Sequence, residues 1–442
     1  MSLHEESLYD RAIERLDAVL ARSEDDLLAF LADYVSFASV NVDLDPSAEA
    51  RAATSRCQEW LAKRLEESGC FASVEHWEAR PGAGNVAARL RGDGTGRTVL
   101  FGGHSDVVPV TLEQQEQWSG NPWRMEQQGD RLLARGIYDM KAGNVAFLFA
   151  LMAIAQAGIT LAGDALACCV GIEESGDYAH GLGDVVNRGW MADLYVSPEP
   201  SAMLVMPAEV GEIYFRLIVQ GRAAHIMDRA ASIYPRHAAD RRGGRSAIDR
   251  MVRLLDAFAE LERDWGRVHH YPLLAPGSMT LNISQIRGGE TYSALAERCE
   301  AVGSVLIPPG ISTQQVKTWL QNTIDGVAAT DSWLREHPPL LEAPYFLAAK
   351  EPVDVPIDSD AVAALSWAVE RATGAPAQLG CSEGTSDANY LHQCGVPTLQ
   401  FGPRGGGAHG VDEYVLGEDL VVVARAYAYL ALSWCGIAAF EG

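Results

Sequence analysis

Thr98-Val-Leu-Phe-Gly-Gly-His-Ser-Asp106 is an apolar run that two glycines break and a histidine closes. A short apolar run bounded in this way reads as a buried strand. In open α/β sheets, sites lie beyond the carboxyl ends of the strands, so His104 stands where a functional side chain is expected. The placement recurs along the chain. Ala165-Leu-Ala-Cys-Cys-Val-Gly-Ile172 is followed at once by Glu173-Glu174, and Leu194-Tyr-Val196 by Ser-Pro-Glu199-Pro. Val396-Pro-Thr-Leu-Gln-Phe401 leads into a glycine-rich turn that ends at His409. Strands interleaved with helical segments imply an α/β domain, a largely parallel sheet flanked by helices.

One more stretch fits the pattern. Ala134-Arg-Gly-Ile-Tyr-Asp-Met-Lys-Ala-Gly143 precedes the apolar run Val145 to Ile154, which places Asp139 at the start of a helix. Lys141 is its nearest candidate ion-pair partner. The middle of the chain reads differently. Strand-like Glu212 to Gln220 is followed by an amphipathic helix, Ser246 to Leu261. Strand-like Met279 to Ile286 and Ala301 to Ile307 come next, then helical Val316 to Val327. That order predicts a smaller α+β domain at about 210–332, inserted between catalytic segments 1–209 and 333–442. The loop between His225 and Arg245 is long and rich in Arg and Gly.

Composition narrows the function. A chain of 442 residues is long for one core, which agrees with two domains. The formal charge of −24 argues against nucleic acid or an anionic membrane as partner, because phosphates reward Lys and Arg. No stretch reads as a continuous apolar span of membrane length. The first 22 residues are acidic and helically patterned, unlike a secretory leader. The eight cysteines include no CxxC pair and read as reduced thiols, which makes the expected setting cytoplasmic.

Taken singly, each chemical residue has an ordinary explanation. A histidine at a strand end is commonly solvated, a Glu-Glu pair commonly lies on the surface, and an Asp at a helix start suits the helix dipole. Five such residues at the exits of successive α/β elements point to a shared centre. His104, Asp139, Glu174, Glu199 and His409 are two imidazoles and three carboxylates without a thiolate. That set suits Zn²⁺, Mn²⁺ or Co²⁺ and excludes a Cys-type structural zinc site. With Asp139 as a bridge, one His and one Glu remain for each of two divalent ions. Ions so paired can hold a hydroxide between them and polarise a carbonyl. Glu173, beside a ligand, is placed to act as general base. Asp106 could orient His104 through the second ring nitrogen.

These motifs resemble the M20 family of metallopeptidases and amidohydrolases, the group of the aminoacylases, carboxypeptidase G2, acetylornithine deacetylase and succinyl-diaminopimelate desuccinylase. Gly103-His-Ser-Asp-Val-Val-Pro109 is similar to its HxDVVP block and Arg135-Gly-Ile-Tyr-Asp-Met-Lys141 to its RGxxDMK block. Glu173-Glu174-Ser, Glu199-Pro200, Gly384-Thr-Ser-Asp387 and Ala408-His409-Gly-Val-Asp-Glu-Tyr414 follow in the family's order. The resemblance implies a two-metal catalytic domain with an inserted lid or dimerisation domain, and hence a homodimer or higher homo-oligomer. It assigns His104, Asp139 and Glu199 to one ion, and Asp139, Glu174 and His409 to the other. It makes Glu173 the base and matches His225 to a lid histidine that, in dimeric members, reaches the partner's site and stabilises the oxyanion.

The lid departs from the family. Leu306 aligns with an arginine that grips a substrate carboxylate, and a leucine cannot make that bidentate pair. Arg222, Arg229 and Arg404 are the candidate replacements. The expected function is therefore hydrolysis of a C–N bond, by default the amide of an N-acyl amino acid, small peptide or related small molecule. The alternative is an aminohydrolase that releases ammonia from a non-peptide or aromatic amine, as members resembling 5-nitroanthranilate aminohydrolase do. A non-catalytic binding protein would be expected to have lost Glu173 or a ligand, and all are present.

Overall fold

The computed structural model describes residues 3–230 and 243–440, so most of the Arg- and Gly-rich loop before Arg245 lies outside the described residues. The chain forms two compact units. The first comprises Met1–Pro207, Val355–Ser382 and Ser386–Gly442; the second comprises Ala208–Asp354 and Glu383–Thr385.

The first unit is built on a large mixed sheet. Its strands run in the order Ser73–Arg80, Ala83–Leu90, Ala165–Val170, Val99–His104, Leu194–Ser197, Thr398–Gln400 and Val205–Glu209. The centre is parallel, as expected. Ala165–Val170 and Leu194–Ser197 flank Val99–His104, and Thr398–Gln400 pairs with Leu194–Ser197. The outer strands are antiparallel, so the sheet is mixed around its parallel centre. The reason is local: Ser73–Arg80 and Ala83–Leu90 are joined by Pro81-Gly82, and so short a turn permits only a hairpin. Register then aligns the strand ends. His104 lies opposite Val170, and Ser197 opposite Gln400. The segments carrying His104, Glu173-Glu174, Glu199 and His409 therefore leave the sheet along one edge.

Helix Ala142–Gln156 packs behind this sheet against helix Asp419–Cys435. Every residue from Val145 to Ile154 is buried, so the apolar run is a core helix. The stretch Ile137–Gln156 is long and apolar enough on average to cross a membrane, yet it is interrupted by Asp139, Lys141 and Asn144, and 89% of its most apolar window is buried inside the protein. A helix apolar on all faces is what a position between a sheet and further helices requires.

The second unit is α+β. Its antiparallel sheet has the order Thr280–Gly288, Arg298–Ile307, Gly211–Gln220, Leu340–Glu342. Residues along Arg298–Ile307 alternate between buried and partly exposed. The buried ones meet helices Ala247–Val268 and Thr313–Ala329 in a core that includes Phe215, Leu217, Met251, Phe258, Val305 and Leu320. Both helices start at a serine cap. Ser246 Oγ accepts from the Asp249 N–H, and Ser312 forms a reciprocal capping box with Gln315. The unit runs to Asp354, not to 332. Leu340–Glu342 pairs with Arg216 to Ile218 and keeps the chain in this unit. Three residues are too few for a periodic signal in the sequence.

Candidate metal centre

The strand end at His104 is shaped by what packs on it. An added Cβ at Gly103 would lie 2.2 Å from Asn144 Oδ1 and 2.9 Å from Met140 Cε. Glycine there lets the start of the core helix close on the strand, where Asn144 Nδ2 donates to the His104 carbonyl at 2.7 Å. Asp139 lies in an irregular turn, Ile137–Lys141, just ahead of that helix. Gly136 opens the turn at φ +74, and a Cβ on it would meet Val107 Cγ1 at 2.3 Å. The Asp139–Met140 peptide bond is cis. Lys141 is not the partner of Asp139: its Nζ donates to the carbonyls of Tyr34 and Phe37 and to Ser39 Oγ at 2.9–3.1 Å.

The partners of Asp139 are two imidazoles, one on each oxygen. Oδ1 is 3.1 Å from His104 Nε2 and Oδ2 is 3.1 Å from His409 Nε2. Glu199 Oε1 lies 3.9 Å from His104 Nε2, and Glu174 Oε2 lies 3.0 Å from His409 Nε2. The five residues thus form two groups that share Asp139, each with ligand atoms within 4.8 Å of one another. Convergent imidazole nitrogens and carboxylate oxygens without a thiolate are a donor set that fits a divalent ion in each group.

The charges of the metal-free groups reflect this crowding. Burial opposes ionisation of Asp139, but hydrogen bonds from His104 and His409 outweigh it and lower its pKa. Burial likewise opposes protonation of His104, yet Asp139, Glu199 and Asp106 raise it well above the usual imidazole range. Hydrogen bonds to Asp139 and Glu174 push His409 up to about 10. Burial pushes Glu174 up to about 7, against its hydrogen bond with His409.

Asp106 is used differently from the expectation. His104 Nδ1 is 2.8 Å from the backbone carbonyl of Asp106 and 3.8 Å from the carboxylate. A carbonyl acceptor still fixes the tautomer that leaves Nε2 free for a metal. The carboxylate instead accepts the backbone N–H groups of Glu173 and Glu174 at 3.0–3.1 Å, and the Asn41 amide at 2.7 Å. Glu173 is buried and belongs to neither ligand group.

His225 lies in the second unit, is exposed, and belongs to neither ligand group. It caps the turn Ile226–Asp228, and its Nδ1 accepts from the Met227 N–H at 3.2 Å. In the neutral ring that leaves Nε2 as the donor. Leu306 is half-buried on its strand, opposite Glu212 and Thr280. Of the candidate replacement arginines, Arg404 is held by Asp419 and Glu418 and Arg229 by Asp249, while the Arg222 guanidinium lies over the Trp333 ring. Asn41 and Asn144 support the centre without having been singled out in the sequence, where Glu413 stands only as part of the block 408–414. Asn41 donates to the Asp106 carboxylate, Asn144 to the His104 carbonyl, and Glu413 accepts from Arg135 and from the N–H groups of Gly136, Tyr138 and Asp139; such contacts leave no spacing pattern.

Fold and site together define a two-unit α/β protein with paired imidazole–carboxylate groups at its strand ends, an arrangement suited to metal-assisted hydrolysis. The chain belongs to peptidase family M20/M25/M40, whose sequence pattern matches residues 100–433, and is a hydrolase of that family. It is 27% identical over 436 residues to the N-formyl-4-amino-5-aminomethyl-2-methylpyrimidine deformylase of Bacillus subtilis, covering 96% of this chain and 98% of that one. It is 26% identical over 384 residues to the succinyl-diaminopimelate desuccinylase of Thioalkalivibrio sulfidiphilus, covering 84% and 91%. Human carnosine dipeptidase 1 shares the fold, with a TM-score of 0.68, 17% identity, and 96% and 98% of the two chains covered.

Proposed function

We propose that this protein hydrolyses the amide bond of a small N-acylated amine at a centre of two divalent ions, Zn²⁺, Mn²⁺ or Co²⁺. The observation that carries the reading is Asp139, whose two oxygens face different imidazoles. His104, Asp139 and Glu199 would hold one ion, and Asp139, Glu174 and His409 the other. When bound, the ions supply Lewis acidity to the attacking water and to the scissile carbonyl. Glu173 takes a proton from that water as the C–O bond forms and returns it to the nitrogen as the C–N bond breaks. Asp106 keeps Glu173 and Glu174 in place through their N–H groups. His225 Nε2–H would donate to the developing oxyanion, contributed by the partner of a homodimer formed through the second unit. Eight free cysteines accord with a cytoplasmic setting.

The acyl group we favour is small and the amine need not be an amino acid. Leu306 stands where an arginine would grip a carboxylate, and Arg404 and Arg229 already have carboxylate partners. The deformylase named above aligns over nearly all of this chain. The test uses protein loaded separately with Zn²⁺, Mn²⁺ and Co²⁺. Its substrates are N-formylated aminopyrimidines, N-acetyl and N-succinyl amino acids, dipeptides and aromatic amines. Released acid, primary amine and ammonia are measured. Acid and amine in equal amounts, with the formyl amine fastest, is the expected result. Ammonia without acid would replace this reading with the aminohydrolase one.

A further inference from the structure

Glu413 belongs to neither ligand group, yet it is almost completely buried and gathers hydrogen bonds from the segment that carries Asp139. Its Oε2 accepts from Arg135 Nη1 at 2.7 Å and from the Gly136 N–H at 2.9 Å. Its Oε1 accepts from the Tyr138 N–H at 2.9 Å and the Asp139 N–H at 3.1 Å. Arg135 has a second task, since its Nη2 donates to the Gly410 carbonyl at 3.0 Å, next to His409. The two stretches are also joined through their backbones, where Tyr414 pairs with Leu133 and the Ala134 N–H donates to the Glu413 carbonyl.

The loop that presents His409 needs such support. His409 and Asp412 both have positive φ, +59 and +55. Residues other than glycine hold that conformation only where their surroundings enforce it. Gln114 Nε2 donates to the His409 carbonyl at 3.1 Å, and the Ser119 N–H donates to Asp412 Oδ1 at 2.8 Å. These contacts are exposed, whereas Arg135 and Glu413 are each about 1% exposed. A buried ion pair is a poor source of net stability, because desolvation offsets the attraction. Its value here lies in geometry.

We propose that the Arg135–Glu413 pair is a positioning device that sets Asp139 and His409 at the distance one divalent ion requires. The inference rests on the metal-centre reading above. Neither residue belongs to a ligand group. The pair acts on the group Asp139–Glu174–His409, and reaches the group His104–Asp139–Glu199 only through the shared aspartate.

Glu413→Gln is the informative substitution. It keeps the volume but turns one acceptor oxygen into an NH₂ group that faces two N–H donors. Co²⁺ is titrated into metal-free protein and followed by its absorption and by calorimetry, in two backgrounds. In His104→Ala the group Asp139–Glu174–His409 remains, and Glu413→Gln should weaken Co²⁺ there by roughly 10–100-fold, as loss of a supporting contact to a ligand does. In His409→Ala the other group remains, and the same change should cost less than about threefold. Arg135→Lys, which keeps the charge but cannot span Glu413 and Gly410, should fall between parent and Glu413→Gln in the first background.

Where Glu413→Gln does not fold because Arg135 is left unpaired, the double variant Glu413→Gln with Arg135→Met removes both buried charges and carries the same expectation. Equal losses in both backgrounds, or none in either, would overturn the proposal. A parent protein that takes up no Co²⁺ would overturn the metal-centre reading and this inference with it. A parent that binds two ions, with variants that bind equally well, would overturn the inference alone.

Discussion

Asp139 joins the two groups because a carboxylate has two equivalent oxygens and this turn presents both. An amide does not. Asp139→Asn leaves one acceptor oxygen and puts an NH₂ group against an imidazole, so the variant should retain at most one tightly held ion, as counted by elemental analysis after dialysis. Glu173→Gln tests a different role. It should keep both ions and lose roughly 10²–10⁴-fold in kcat, the usual contribution of a proton-transferring side chain. A Glu173→Gln variant as fast as the parent would remove Glu173 from the chemistry. Metal uptake should also release protons. In the metal-free protein His409 is pushed up to about 10 by Asp139 and Glu174, so near neutral pH an ion must displace a proton from it. The sign follows: apparent affinity weakens as pH falls, and an indicator dye in weak buffer should register acid as Co²⁺ is added. Four of the five candidate ligands could be picked out in the sequence because each follows an apolar strand, and Asp139 because it precedes a long apolar helix. The carboxylate of Asp106 was read as a partner of His104, but it serves the backbone of Glu173 and Glu174 instead. A carboxylate bonded to main-chain N–H groups is invisible in a sequence, since every residue except proline offers one.

Between residues and the whole lie the elements that bring the ligands to one edge. The parallel centre of the sheet could be anticipated, because apolar strands alternated with helical stretches and each ended in a chemical residue. The antiparallel flank could not, since whether the hairpin of Ser73–Arg80 and Ala83–Leu90 joins the same sheet is a tertiary choice. The strand Leu340–Glu342 was missed for its shortness, and the inserted unit was therefore drawn too short. What could be read at this scale is the glycine pair before His104, though not its cause. Gly103 is a point of contact between strand and core helix, with Asn144 Oδ1 at 2.2 Å from a would-be Cβ. Gly103→Ala must push Asn144 or Met140 aside, and overpacking of this kind costs about 1–3 kcal/mol. The expected result is a lower urea midpoint with an unchanged slope, together with weaker metal retention, because Asn144 holds the His104 carbonyl. An unchanged midpoint would mean that the helix start yields freely.

At the scale of the whole molecule, the strand Thr280–Gly288 of the second unit pairs with Arg298–Ile307 along one side, and among the described residues no strand pairs with its other side. Unpaired edges invite another chain. Ile286 on this strand is 52% exposed and Ile248 and Val252 on the neighbouring helix are 38% and 49% exposed, an apolar surface that a second copy would cover. The protein should therefore run as a dimer in light scattering, and Ile286→Lys should shift it toward the monomer. If His225 serves the partner's centre, the dimer is also the catalytic unit. His225→Ala and Glu173→Gln homodimers should each be nearly inactive, for different reasons. In a hybrid of the two, one centre combines the intact Glu173 of one copy with the intact His225 of the other. Mixing equal amounts under conditions that exchange subunits should restore about a quarter of the parent activity, since half the dimers are hybrids with one complete centre each. Restoration that disappears when Ile286→Lys is present in both chains would tie activity to this edge. No restoration, with subunit exchange demonstrated by mass, would place the oxyanion donor within the chain that supplies the ligands.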